Sequence, residues 1–425
     1  MEVLRVEGGH PLRGTIQVGG AKNAALKLMA ASLLTPEPCI LQNVPDIRDV
    51  RTMERLLAGL GATVERLGDR LTIRAETLRS EAPEEPVREM RASIQVLGPM
   101  VARTGRLRIA QPGGCSLGPR PIDLHLQGLI AMGAQVEEEH GVLTVTAPKG
   151  LHGAEIHLDF PSVGATENLM MAAALARGRT VIANAAREPE IADSVAFLNQ
   201  CGARARGVGT DVIEVEGVAE LHGTTYQVMP DRIEAATYAL MVAAAGGDLL
   251  IRPVRTEHLG AVLGKMTEMG VDWAPAGDGL RVRGKGAVAE HYQAVHVRAL
   301  PYPGFPTDVQ PQIMAVLTMA HGTSVISEEV HASRFRQVGE LRRMGAWIWT
   351  EGRTAVIRGP VRLTGARAEI PDLRAGAALL TAALAAEGNS WLEGVEHLDR
   401  GYAALEGRLT EIGAAVSRIT EDKEE

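Results

Sequence analysis

Four of six positions that fall in register along this 425-residue chain are cationic, and a fifth is a carboxylate. Lys22, Arg91, Gly164, Arg232, Asp308 and Arg374 each stand 14 residues before the Pro or Gly that ends a helical pattern, at Pro36, Gly105, Gly178, Gly246, Gly322 and Gly388. Each therefore opens a helix. A cation there opposes the helix dipole by a few tenths to about 1 kcal/mol, and Ser, Thr, Asp or Asn is the preferred choice. Repetition calls for compensation, which a bound anion supplies: helix starts present free N–H groups to phosphate or carboxylate, and Lys and Arg neutralise the charge. The pattern predicts a polyanionic substrate. The alternative is pairing with neighbouring carboxylates, Glu89 beside Arg91 or Asp372 beside Arg374. Asp308 reads either as a helix cap or as a general base close to the bound anions, and Asp231 and Asp372 read as caps.

A second candidate is a thiol. Between the helix-ending residue and the next Gly-Ala or Gly-Val, the second segment is longer than the others by at least three residues, and its excess lies in Gln111–Pro121, with three glycines and three prolines. Such a run cannot be regular structure, and an added loop of this kind is usually functional. Cys115 sits in it, where nearby cations would lower its pKa and suit it to acid–base or nucleophilic work. Cys39 and Cys201 fall in apolar strand and helix-end patterns and read as inert core residues. Lys22, one of six lysines, follows Gly19-Gly20-Ala21, a run with neither Walker nor dinucleotide spacing.

The elements that must position these residues come as a repeat. Gly61, Gly133, Gly202, Gly270, Gly345 and Gly413, each followed by Ala or Val, close helical patterns at separations of 72, 69, 68, 75 and 68 residues. Each reads as a helix C′ glycine with positive φ. An earlier helix, clearest in 169–178, 239–247 and 378–388, precedes each of them and runs into an apolar strand. Gly68-Asp69, Asp278-Gly279 and Glu351-Gly352 read as hairpin turns. The unit is a βαβαββ-like module repeated six times, three modules to a domain with a split near Pro230; an open solenoid is the alternative architecture.

Composition narrows the function. A net charge of −8 and 3% aromatic residues argue against nucleic acid and anionic membranes as general partners, so any basic site is focal. Three cysteines make no disulfide framework or zinc pattern, the twelve histidines show no metal spacing, and no metal is expected. With neither a signal peptide in the first ten residues nor an apolar run long enough to span a bilayer, a cytoplasmic location is expected.

Seven segments together, 19–34 (GGAKNAALKLMAASLL), 91–103 (RASIQVLGPMVAR), 112–125 (PGGCSLGPRPIDLH), 162–166 (SVGAT), 184–191 (NAAREPEI), 305–308 (FPTD) and 397–402 (HLDRGY), resemble the UDP-N-acetylglucosamine 1-carboxyvinyltransferase family from Val18 to about Gly413. The Cys115 loop with the following Arg-Pro-x-Asp-Leu separates it from the related 3-phosphoshikimate 1-carboxyvinyltransferases. The resemblance implies a two-domain inverted α/β barrel, 20–229 forming one domain and 1–19 with 230–425 the other, with the active site in the cleft between them. It implies transfer of the enolpyruvyl group of phosphoenolpyruvate to the 3-hydroxyl of UDP-N-acetylglucosamine, the committed step of peptidoglycan synthesis, with no cofactor beyond a covalent phosphoenolpyruvate adduct on Cys115. By the same resemblance Lys22, Asn23, Cys115, Arg120 and Arg400 surround phosphoenolpyruvate. Arg91, Arg120, Pro121, Ile122, Asp123, Leu124, Ser162, Val163, Gly164, Asp308 and Val330 contact the nucleotide sugar. Cys115 protonates the methylene carbon, Asp308 takes the sugar hydroxyl proton, and Arg232, Arg334, Asp372 and Arg374 support the site. Phe160 and Gln95 depart from the basic and aromatic residues of some members. A shikimate-pathway transferase and a non-catalytic nucleotide-sugar-binding homologue are the alternatives.

Overall fold

A glycine that ends a helix must reach the left-handed region, and Gly61, Gly133, Gly202, Gly270, Gly345 and Gly413 all do so, with φ between +85° and +101°. The repeat read from them is real. The computed structural model describes residues 2–113, 122–286 and 292–421. Cys115, Arg120 and Pro121 lie outside these. The described residues divide into two compact units, the first holding 20–113 and 122–229, the second 2–19 and 230–421.

Each unit carries three small sheets. The repeat is plainest in strand Glu155–His157, helix Val163–Ala174, strand Arg179–Ala183, helix Pro189–Gln200 and hairpin Arg204–Arg206 with Val212–Glu216. The first two strands pair in parallel across the helix, and the last strand of the hairpin pairs antiparallel to the middle one. A parallel crossover needs a helix to span it, whereas the antiparallel pair needs a short turn. Gly68-Asp69 forms such a turn, but the other two turns are Gly277-Asp278 and Gly352-Arg353, one residue from the expected positions. Each takes glycine as its first central residue, at φ +62° and +53°, which sets the pairs Ala276 with Gly279 and Glu351 with Thr354.

Three of the six sheets are completed from a distance. Strand Thr225–Gln227 pairs in parallel with Cys39–Gln42 and closes the first unit. In the second unit, β1 (Glu2–Glu7) lies between Asn389–Glu393 and Ala415–Thr420, antiparallel to both, and β2 (Leu12–Gln17) pairs in parallel with Gly247–Arg252. The sheet of Arg106–Ala110 has three strands, its parallel neighbour reduced to one bridge between Glu81 and Arg108.

The first helices of the six repeats form the cores: α1 (Lys22–Ala31), α2 (Leu97–Thr104), α3 (Val163–Ala174), α4 (Arg232–Ala245), α5 (Gln310–Leu317) and α6 (Leu373–Ala385). All residues of α4, α5 and α6 are buried, which is why none of them carries a charged solvent face, and α4 and α6 are rich in alanine. These three pack on one another, as α2 does on α3. Polar N-caps start several of them: Ser162 Oγ accepts from Ala165 N (3.3 Å), Asp231 from Ile233 N (2.8 Å) and Asp372 from Arg374 N (3.0 Å). Among the described residues no helix is long and apolar enough to cross a membrane.

Leu4, fully buried in β1, faces Leu392 and Arg418 across its two neighbours. Replacing Leu4 with Ala is expected to cost about 2–5 kcal/mol in urea unfolding of the second unit. A cost under about 1 kcal/mol would mean that this strand is not integral to the core.

Candidate active site

The in-register positions all open helices, as their spacing predicts. In the first unit Lys22 is the first residue of α1, Arg91 the first of a 3₁₀ helix, Arg91–Val96, that leads into α2, and Gly164 the second of α3. Lys22 is not compensated by a sequence neighbour. Its ammonium meets Asp49 Oδ2 at 2.6 Å, and both side chains are largely buried. Five residues on, Lys27 donates to the Asn23 carbonyl (2.7 Å) and pairs with Glu167 Oε2 of α3 (3.2 Å), while Ser194 donates to Oε1 (3.3 Å). The start of α1 is thus tied from within to a helix 140 residues away in sequence.

Around Gly164 the packing is close. A Cβ there would lie 3.2 Å from Gln95 Nε2 and 3.3 Å from His125 Nε2. Gln95 donates to the Gly164 carbonyl (3.1 Å) and so supports the start of α3, whereas Phe160 is exposed. His125 Nδ1 meets Asn168 Nδ2 at 2.8 Å; because the amide donates, the ring proton belongs on Nε2, facing Gly164. Burial, and then the charge of Arg91, lower His125 to about 4, which keeps it neutral. Ile122 caps the helix Asp123–Ala131 that carries Leu124 and His125.

In the second unit Arg232 and Arg374 open α4 and α6, and Asp308 lies in the 3₁₀ turn Thr307–Val309 before α5. Arg232 stands 5.7 Å over the Tyr302 ring. Asp372 caps backbone N–H groups, including that of Arg374, and Glu89 pairs with Arg55, so the neighbouring carboxylates do not neutralise the in-register arginines through their side chains as the alternative supposed. The Arg374 guanidinium reaches Asp308 Oδ2 (2.8 Å) and Arg334 reaches Oδ1 (2.7 Å). Asp308 is therefore no cap. Burial works against its charge, but Arg374 and Arg334, with His331 adding to them, outweigh burial and hold the carboxyl well below the usual carboxylate range. The arginines are 8% and 3% exposed against 23% for Asp308, so the acid is the most accessible of the three. Val330 sits on the adjoining turn, its N–H held by Glu328 (2.9 Å), and Arg400 is half-buried in the turn after the 3₁₀ helix Val395–His397.

The sequence profile of the EPSP synthase (3-phosphoshikimate 1-carboxyvinyltransferase) family matches residues 6–409. UDP-N-acetylglucosamine 1-carboxyvinyltransferase 1 of Carboxydothermus hydrogenoformans is 53% identical, over 99% of both chains. The chain belongs to the carboxyvinyltransferase family. UDP-N-acetylglucosamine 1-carboxyvinyltransferase of Gluconacetobacter diazotrophicus is 51% identical, over 99% of this chain and all of the other. The enolpyruvyl transferase NikO from Streptomyces tendae superposes with a TM-score of 0.90 at 23% identity over 99% of each chain, and EPSP synthase from Acinetobacter baumannii with 0.73 at 19% over 99% and 100%. These two establish the fold.

Sequence reasoning missed several residues that hold this carboxyvinyltransferase's helix starts in place: Asp49, Lys27, Glu167, Glu328 and Thr307. Only position could have flagged them. Lys27 and Glu167 lie one turn into α1 and α3, where the helices are otherwise apolar and buried. Burial pushes Glu167 up to about 7 despite Lys27, with buried Glu190 adding to the rise. A carboxyl raised in the fold binds its proton more tightly there than when unfolded, so its contribution to stability declines from its ordinary pKa near 4.5 up through about 7. Between pH 5 and pH 8 the wild type should lose about 2 kcal/mol more of unfolding free energy than Glu167→Gln, measured by denaturant titration at both pH values. Equal pH slopes would place the proton elsewhere.

Proposed function

We propose that this carboxyvinyltransferase transfers the enolpyruvyl group of phosphoenolpyruvate to the 3-hydroxyl of UDP-N-acetylglucosamine, releasing phosphate. The observation that carries the reading is Asp308, held in its charged form by Arg334 and Arg374 and more accessible than either. So strongly stabilised a carboxylate is a weak base, and weak is enough here. As the sugar oxygen bonds to C2, its proton becomes strongly acidic and passes to Asp308, while C3 receives a proton from Cys115. The product of that addition is a tetrahedral ketal. Loss of a C3 proton and departure of phosphate then restore the double bond, now in an enol ether of the sugar.

Lys22, Asn23, Arg120 and Arg400 would hold the phosphate and carboxylate of phosphoenolpyruvate, and the N–H groups of Val163 and Gly164 at the start of α3 suit the sugar diphosphate. Arg91, Arg120 to Leu124, Ser162 and Val330 complete the nucleotide-sugar contacts in this reading, and Arg232 and Asp372 support them. Every step is a proton transfer or the making or breaking of a C–O bond, so no cofactor is called for beyond an adduct on Cys115. In this reading the reaction runs in the cytoplasm and is the entry to peptidoglycan synthesis.

Phosphate release should require phosphoenolpyruvate and UDP-N-acetylglucosamine together, and should not appear with shikimate 3-phosphate. Cys115→Ala should lower turnover sharply, with Cys115→Asp retaining activity because a carboxylic acid also donates a proton. Full turnover in Cys115→Ala would remove the thiol from the mechanism, and release with shikimate 3-phosphate alone would move the chain to the sister branch.

A further inference from the structure

Glu328, the last residue of strand Gly322–Glu328, is buried to 1% exposure and is used by no step above. Its two oxygens face three donors. Oε1 accepts from the N–H groups of Val330 and His331, both at 2.9 Å, and Oε2 accepts from the Thr307 hydroxyl at 3.0 Å. Thr307 Oγ1 in turn accepts from Arg334 Nε at 3.2 Å, and Arg334 Nη2 donates to Asp308 Oδ1 at 2.7 Å. The direction of this chain is dictated at both ends. A guanidinium only donates and a carboxylate only accepts, so the single hydroxyl proton of Thr307 must point to Glu328, leaving a lone pair for Arg334.

We propose that Glu328 is a positioning residue for the carboxyvinyl transfer: through Thr307 it fixes the Arg334 guanidinium against Asp308 and holds that carboxylate in its working orientation and charge. The proposal rests on the reading of Asp308 as the proton acceptor. Against its burial, the charge of Asp308 is favoured by Arg374 from α6, Arg334 from the segment after residue 330, and His331. Of the two arginines, Arg334 is the one whose Nε depends on a hydroxyl aimed by a buried acid. The same acid holds the N–H of Val330, so it couples the proton acceptor to a position assigned to the sugar.

Changing Glu328 to Gln inverts one polarity wherever the amide points. If its oxygen keeps the backbone N–H groups, its NH₂ confronts Thr307, which must then turn its proton away; if the amide flips, NH₂ confronts two N–H donors. Thr307→Val removes the hydroxyl at constant shape, and Thr307→Ser restores it.

The test is the pH dependence of kcat/KM for phosphate release in the wild type, Glu328→Gln, Thr307→Val and Thr307→Ser, with Asp308→Asn as reference and folding checked by circular dichroism. Loosening Arg334 removes part of what keeps Asp308 ionised. Glu328→Gln and Thr307→Val should therefore move the acid limb up by about one pH unit and lower kcat about tenfold, whereas Thr307→Ser should keep the wild-type limb. An unmoved limb in Thr307→Val, with Asp308→Asn inactive, overturns the proposal and leaves Asp308 its role. A limb that moves in Glu328→Gln alone belongs to Glu328, whose own pKa burial raises, and also overturns it. Normal turnover in Asp308→Asn instead removes the reading on which the proposal stands. Should Glu328→Gln fail to fold, the Thr307→Val and Thr307→Ser pair decides.

Discussion

A lysine or arginine in the first turn of a helix buried on every side has to be met by a carboxylate, by a ring face or by a ligand, because an unmatched charge in a low-dielectric interior costs several kcal/mol. Both units are built around that requirement. Lys22 is met by Asp49, Arg374 by Asp308, and Arg232 stands over Tyr302. The matching groups come from other elements, Asp49 from the second helix of the same repeat and Asp308 and Tyr302 from a neighbouring repeat, so meeting the charge also fixes the elements to each other. A helix start with positive charge is then held in place by the fold itself.

The two units meet the requirement differently. In the first, charge recurs one turn deeper, with Lys27 against Glu167 beneath Asn23, and burial leaves Glu167 poised near neutrality. In the second, two nearly inaccessible arginines converge on one partly open acid, and their combined field outweighs its burial. The first arrangement makes a titratable brace. The second makes a carboxylate held strongly in its charged form.

The repeat supplies helix starts cheaply, since one βαβαββ plan places a helix N-terminus at the same point in each of six copies. Completion of the sheets is less regular. β1 and β2 come from the N-terminus to finish the last and first sheets of the second unit, and Thr225–Gln227 returns to finish the first sheet of the first unit. These long-range pairings complete the sheets with strands remote in sequence, β1 as a central strand and the other two as edge strands.

Local rules are enough to read the repeat from the residues: glycine at C′ because of its positive φ, alanine and leucine all round a buried helix, Asp and Ser at N-caps. Hence the six modules, the helix starts at Lys22, Arg91, Gly164, Arg232, Asp308 and Arg374, and the capping roles of Asp231 and Asp372 were legible, and the motif resemblance added the family. Two turn positions slipped by one residue because strand register depends on the partner strand as well as on the turn dipeptide. What each charge meets was not legible. Asp49, Glu167, Thr307 and Glu328 look like ordinary polar residues, and Gln95 like a mere departure from its relatives, until the fold brings them within hydrogen-bond distance of Lys22, Lys27, Arg334, Val330 and Gly164. Sequence alone determined where charge enters the helices, because capping and periodicity act over a few residues. Tertiary structure decided which partner answers it, because Coulomb and hydrogen-bond energies depend on distances that only the packing of remote segments sets.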